Sequence, residues 1–492
     1  MTEPQIAAHK GHPKGLYVLF FTEMWERFSY YGMRAILLMF LLDKVKGGMG
    51  YGEGEAGAIY GLYTFSVYLL SLPGGWLADN IFGQRKAVWY GGILIMIGHI
   101  ILAIPASPMV FFSGLAFVAM GTGMLKPNIS SVVSELYPEG GARRDAAFSI
   151  FYVGINLGGF LGMLIVGYLG QKVGWHYGFG AAAVAMFLGL VGYRILAPKY
   201  LGDKGILPKG KQDVKDKTPA ATLTWVLGAV LLGFLLVMQL TGNFSWVSKQ
   251  STATSMGIIC VAVVIIYFAN LLFASKLEPI ERKRIGILFI LFWGAVLFWA
   301  GFEQQGSSLQ IFADRYSELP AWMPSSWFQT FNNLYILMLA PLIGMLWIYL
   351  EKKKLNPPTL TKFGMALFLL AIGYYIMVMG SKTAVTGVKA SFWVLTLTYF
   401  FHTLGEVCLS PVGLSSFTKL APPRFLSQLM GVWFVATALG NLFAGLFAGG
   451  FNEENLQQMP AMFMSIVWFC LVVGTVILLL QKPTQKWMGG IK

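Results

Sequence analysis

Charge is what this chain has least of. Only 12% of its 492 residues are Asp, Glu, Lys or Arg, against about 25% in soluble domains. Cysteine is scarce too, and Cys260, Cys408 and Cys470 all stand in apolar stretches. That placement excludes a disulfide framework and a thiolate metal site, and makes the three cysteines inert packing residues. No grouping of His, Cys and Asp has the spacing of a metal centre or a nucleophile with its base. The chain is therefore expected to be no enzyme and to hold no metal and no cofactor. The first fourteen residues are polar and the apolar stretch after them is too long and too charged for a cleavable signal peptide.

What is abundant is apolar surface, with 56% of residues hydrophobic. A helix needs about 20 apolar residues to cross the hydrocarbon core. Fourteen stretches qualify, near 16–42, 54–78, 87–105, 109–134, 146–170, 175–197, 220–240, 254–275, 285–312, 327–350, 363–380, 390–418, 425–449 and 458–480. The net charge of +14 invites a nucleic-acid partner, but its distribution points to a bilayer. With both termini cytoplasmic, 26 of the 36 Lys and Arg fall on the cytoplasmic side, 7 outside and 3 within spans. That asymmetry is the positive-inside rule and sets the orientation. No soluble domain remains to bind nucleic acid.

The longest hydrophilic connection, residues 198–219, is rich in Lys, Gly and Pro and reads as a cytoplasmic linker. Six spans precede it and eight follow. The two spans after it, 220–240 and 254–275, carry no Asp, Glu, Lys, Arg or His and read as lipid-facing additions. The expected organisation is an all-α membrane protein with a six-helix bundle over 1–197, two extra helices over 220–275 and a second six-helix bundle over 276–492. A site is then expected at the interface between the bundles. Gly154, Gly158 and Gly162 on span five, and Gly445 and Gly449 on span thirteen, recur every four residues, the spacing of close helix packing.

Against that background the first span is anomalous. Glu23, Glu26, Arg27 and Arg34 all lie inside it, and each costs about 2.5–3.5 kcal/mol at the bilayer centre unless it faces a partner or water. At about 100° per residue, Glu23, Arg27, Tyr30 and Arg34 share one stripe flanked by Glu26 and Tyr31. Lys126, Glu303 and Glu406 are the other ionisable residues deep in apolar stretches. Four acids and three bases nearly balance, which is what makes them tolerable together. Static clamping explains them poorly, because apolar replacement of buried pairs is often neutral or stabilising. A wet, charged pathway explains them better, with Glu303 and Glu406 as proton carriers. On continuous helices, Trp299, Glu303 and Ser307 would share a face, as would His402, Glu406 and Ser410. His402 reads as a packing residue. Between spans two and three, Gly74–Lys86 matches the G-x-L-A-D-x-x-x-G-x-R loop of the major facilitator superfamily, with Asp79 and Arg85 expected to latch helix ends.

Further motifs run along the whole chain: E-x-x-E-R-F-x-Y-Y-G at Glu23–Gly32, G-x-G-x-x-K-P-N at Gly121–Asn128, and F-Y-x-x-I-N-x-G at Phe151–Gly158. Others are an F-E-Q segment around Glu303 and G-E-x-x-x-S-P-x-G-L at Gly405–Leu414. In these the chain resembles the proton-dependent oligopeptide transporter family of that superfamily. The resemblance implies a multi-pass protein of the bacterial inner membrane, active as a monomer, importing di- and tripeptides with protons. It implies that Arg27, Tyr30 and Lys126 hold the peptide carboxylate, and that Asn156, Asn332 and Glu406 hold its amine. Tyr31, Tyr68, Trp299, Ser410 and Trp433 would line the pocket. Glu23, Glu26, Arg27, Lys126 and Glu303 would couple protons, with Arg34 and Glu303 forming a gate pair. The family's frequent Asn-Pro on span ten is Asn332-Asn333 here, and the titrating His that animal relatives carry on span two has no counterpart. A proton-coupled carrier of nitrate or another small anion is the alternative, which the intact E-x-x-E-R disfavours.

Overall fold

The structure, a computed structural model, describes residues 11–105, 107–138, 141–206, 249–449 and 453–487. Among them twelve helices are long and apolar enough to cross a membrane. They are α2 (Glu53–Phe82), α3 (Gln84–Leu102), α4 (Pro108–Glu135), α5 (Ala146–Val173), α6 (Trp175–Tyr200), α7 (Lys249–Ala274), α8 (Pro279–Tyr316), α9 (Ser325–Lys352), α10 (Thr359–Val385), α11 (Phe392–Leu420), α12 (Gln428–Ala448) and α13 (Leu456–Leu479). Ahead of them stands α1 (Lys14–Leu42), 29 residues long, with Glu23, Glu26, Arg27 and Arg34 all buried. It packs against α5 and α6, so its stripe meets protein rather than lipid. These thirteen helices coincide with thirteen of the expected stretches. The fourteenth, 220–240, lies outside the described residues. The single β pairing among the described residues is one bridge between Ser317 and Ala390.

Local chemistry sets several helix boundaries. Pro108 and Pro279 occupy first-turn positions, where a missing N–H costs nothing. Glu278 and Glu281 form a reciprocal capping box at the start of α8. One expected helix is not continuous. α8 is α-helical to Phe302, tightens to a 3-10 turn over Glu303–Gly306, and resumes at Ser308. Ser307 therefore does not share a face with Trp299 and Glu303; its Oγ lies 3.3 Å from the Ala444 carbonyl. The polar Gln-Gln-Gly-Ser-Ser run cannot sustain the apolar helix, and Gly306 lets the Tyr60 hydroxyl of α2 press against the backbone.

Small residues bring the helices together. Side chains at Gly158 and Gly162 of α5 would collide with the Met24 and Phe28 carbonyls of α1. A Cβ at Gly57 of α2 would stand 2.6 Å from the Gly445 carbonyl of α12. The first contact builds the N-terminal bundle, and the second ties that bundle to the C-terminal one. The glycine repeats therefore do what their spacing suggested.

With the termini cytoplasmic, the contacts joining the two bundles crowd toward the outer face. Arg315 reaches Glu53 at 2.9 Å, Gln171 bonds Ser325 at 2.8 Å, and the Trp327 indole donates to the Leu164 carbonyl at 2.9 Å. Lower on α5, Gly159 lies against Asn333 of α9, yet Tyr152 on the same side of α5 is 41% exposed. The cleft between the bundles is thus closed outside and opens toward the cytoplasm. α7 lies against α2 and α12, with Lys249 2.8 Å from Glu55 and the Tyr267 hydroxyl donating to Gln428 at 3.1 Å.

Cytoplasmic and outer turns are stapled by polar groups. Arg85 donates to the Gly202 carbonyl at 2.6 Å, and Gln84 donates to Asp79 at 3.0 Å. Both residues of the expected latch hold the turn, but they do not pair with each other: Arg85 instead binds the segment leaving α6. Outside, the Asp43 carboxylate accepts from the backbone N–H groups of Val45, Lys46 and Gly48 and from the Trp175 indole at 2.7 Å. Burial raises the pKa of Asp43, but these donors outweigh it and hold the carboxyl below its ordinary value. A lowered folded pKa adds stability above the unfolded pKa of about 3.9, lost as pH falls through the folded value. Asp43→Ala should lower the thermal unfolding midpoint by a few degrees near neutral pH. The gap from the native protein should narrow below about pH 4, measured by unfolding in detergent across pH.

Candidate functional site

The charges of α1 sort into two groups. Toward the cytoplasmic side, the Arg27 Nε donates to Glu23 Oε1 at 2.7 Å and lies 2.9 Å from Glu26 Oε2, although the second contact lacks hydrogen-bond geometry. Thr122 of α4 stands 3.5 Å from Glu26. Arg27 Nη2 and Glu23 Oε2 have no partner among the described residues, so the guanidinium keeps an uncommitted N–H. Its centre lies 5.8 Å from the Tyr31 ring and 5.9 Å from the Tyr30 ring, at the edge of cation–π range. One helix away, the Lys126 ammonium sits 3.7 Å from the centroid of the Tyr68 ring, and Pro127 follows it in α4. Pro127 deprives the Gly123 carbonyl of its helical donor, and α2 meets α4 there, with Gly74 against that carbonyl.

Two turns further out, Arg34 crosses between the bundles. Its Nε donates to the Tyr60 hydroxyl at 2.7 Å, and its Nη2 pairs with Glu303. Both partners are buried. The break in α8 places Glu303 at a helix end.

The C-terminal bundle supplies a third polar group. The Asn332 amide of α9 donates to Glu406 Oε2 at 2.9 Å and to Thr403 Oγ1 at 3.1 Å. Glu406 is therefore aimed by one amide and remains half-buried. Asn156 of α5 does not join it; its amide donates to the Tyr152 carbonyl one turn back, at 2.9 Å. Tyr152 of that helix stands within electrostatic range of Glu406. Trp299 packs on Gly440, and Trp433 on Gly413 and Phe417. The Trp299 indole N–H and the Ser410 hydroxyl have no partner among the described residues. His402 is buried against Gly373 and Tyr374 of α10, as a packing residue would be. Asn333, where the family often has proline, contacts Met163 of α5 through its amide, at 3.6 Å.

These groups form one electrostatic field. Tyr31 stands within range of Arg27 and Arg34 on its own helix and of Glu303 and Glu406 across the cleft. Lys126 is within range of Glu23, Glu26 and Glu303. Cations thus predominate on the N-terminal wall, with an aimed carboxylate on the C-terminal wall. Thr122, Tyr152, Thr403 and Tyr60 belong to the site although sequence spacing did not single them out. Thr122 and Tyr152 lie within the quoted motifs, where a signal existed. Tyr60 and Thr403 owe their roles to helix neighbours that only folding supplies.

Comparison with known proteins identifies the family. A model described as the POT family matches residues 85–467. A peptide transporter of Yersinia enterocolitica is 37% identical, covering 98% of this chain and 96% of the relative. A di-/tripeptide transporter of Lactococcus lactis subsp. cremoris is also 37% identical, covering 98% of each. The crystal structure of a peptide transporter, POT, in complex with sulfate superposes with a TM-score of 0.88 at 40% identity, covering 98% of this chain and 97% of that one. With its all-α fold of membrane-spanning helices, the chain belongs to the POT family of multi-pass membrane transporters.

Proposed function

We propose that this protein imports di- and tripeptides together with protons by alternating access, without chemical conversion of the substrate. The observation that carries the reading is the opposition of charge across the cleft: Arg27 and Lys126 on one wall, Glu406 held by Asn332 on the other. A short peptide is a zwitterion whose ends match that opposition, and the names of the relatives point to the same substrate class. Arg27, Lys126 and Tyr30 take the carboxylate. Glu406 and Asn332 take the amine, with Asn156 shaping the wall beside them. Side chains of the peptide lie among Tyr31, Tyr68, Trp299, Ser410 and Trp433. Recognition of the two ends leaves the middle unread, so tolerance of many peptide sequences follows.

Bound peptide draws the bundles together and competes for Arg27 and Lys126, releasing Glu23 and Glu26 from their cations. A carboxylate that loses its cation in a low dielectric takes up a proton. Arg34 and Glu303 close the outer face in the state seen here; protonating Glu303 would remove the attraction and let that face part. Residues 1–197 and 276–492 act as the two moving bodies, with α7 (Lys249–Ala274) packed on α2 and α12. A potential of 100 mV contributes about 2.3 kcal/mol per proton, enough to bias accumulation.

The test is uptake of labelled dialanine into proteoliposomes under an inward proton gradient; absence of accumulation would overturn the proposal. Glu406→Gln should weaken peptide binding roughly ten- to hundredfold, the scale of one charge-assisted hydrogen bond. N-acetylated dialanine should compete poorly against the native protein; equal competition would remove Glu406 from amine recognition. Glu23→Gln and Glu26→Gln should each abolish accumulation against a gradient while sparing downhill exchange, read by counterflow in the same vesicles.

A further inference from the structure

Two hydroxyl groups stand between the outer ion pair and the carboxylates near Arg27, and neither has a partner among the described residues: those of Tyr30 and Tyr63. Tyr30 is fully buried and Tyr63 is 6% exposed. Leaving a buried donor unsatisfied costs about 1–3 kcal/mol, so two such groups in one region imply a polar occupant. Their surroundings fix where that region lies. Tyr63 is within electrostatic range of Tyr30, Arg34, Glu26 and Tyr60. Tyr30 is within range of Arg34, Tyr31, Tyr60 and Glu303. Along α1, Glu26, Tyr30 and Arg34 follow one another every four residues on one stripe. The rise from Glu26 to Arg34 is about 12 Å, far beyond a single proton hop. Tyr30 stands midway along that rise on α1, and Tyr63 of α2 lies within electrostatic range of both ends. Tyr60 is already engaged, its oxygen accepting from Arg34 at 2.7 Å, which leaves Tyr30 and Tyr63 as the free hydroxyls.

We propose that the Tyr30 and Tyr63 hydroxyls hold ordered water between the Arg34–Glu303 pair and Glu26, and that this chain relays the proton from the outer gate to the coupling carboxylate. The inference rests on the proton-driven reading above and names the path it would use. When Glu303 parts from Arg34 it takes a proton from the outer side. That proton passes from the Glu303 carboxyl to a water oxygen. Each hydroxyl or water along the path accepts one proton and releases another, and the last delivers one to the Glu26 carboxylate. The tyrosines end the sequence unchanged, and no redox partner is needed. Tyr63, which touches neither substrate end, is on this account a positioning residue for coupling.

Tyr63→Phe tests the relay because it keeps the ring and removes only the hydroxyl. Proton-driven accumulation of labelled dialanine should fall at least about tenfold. Dialanine counterflow and the thermal unfolding midpoint should stay at the native level, and the deuterium-oxide isotope effect on accumulation should change. Accumulation and isotope effect equal to the native protein would overturn the relay while leaving proton symport standing. Loss of counterflow together with a lowered unfolding midpoint would also overturn it, by showing a packing role. A native protein that exchanges dialanine but never accumulates it under a proton gradient would overturn the symport reading, and the relay with it.

Discussion

Seven ionisable side chains sit where the bilayer offers no water, and the helix arrangement follows from the need to compensate them. An unpaired charge at membrane depth costs several kcal/mol, so α1 cannot face lipid. It is wrapped by α5 and α6, and its cations are shared out. Arg27 stays within its own helix with Glu23 and Glu26, whereas Arg34 crosses to Glu303 of the other bundle. On the mechanism proposed above, that difference separates two tasks on one helix. A pair within a helix survives any motion of the bundles, but a pair between bundles exists only while the outer face is closed.

The same economy governs the neutral parts of the cleft. Glycines at 57, 158, 162 and 445 let backbones touch, which matters in lipid, where apolar side chains gain nothing by meeting each other rather than acyl chains. The break at Glu303–Gly306 sets Glu303 at a helix end and takes Ser307 off the face of Trp299 and Glu303. Asn332 then aims Glu406 from the neighbouring α9. Several polar groups beside the cleft, the Arg27 Nη2 and the Tyr30 and Tyr63 hydroxyls among them, are buried without a partner among the described residues, and these are the groups left for a polar occupant.

Much of this was legible in the order of residues. Hydropathy located the helices that the described residues cover, because each span must satisfy its own backbone in lipid. The stripe of Glu23, Arg27, Tyr30 and Arg34 was legible because helical periodicity needs no neighbour. The pairing of Arg34 with Glu303 came only from resemblance, since 269 positions separate them. The broken α8, the separation of Asp79 from Arg85, and the choice of Asn332 over Asn156 as the partner of Glu406 were not legible. Each depends on which groups a neighbouring helix presents within about 3 Å, and one-dimensional spacing carries no such information.

Sequence by itself therefore determined that the chain is a bundle of membrane-spanning helices with cytoplasmic termini and a charged stripe on the first of them. These follow from local rules: span length against bilayer thickness, the count of Lys and Arg on each side, and 3.6 residues per turn. Tertiary structure decided which charges meet, where a helix breaks, and on which side the cleft is open. Those outcomes are set by close approach between helices, where a single glycine or a single free carbonyl changes what can touch.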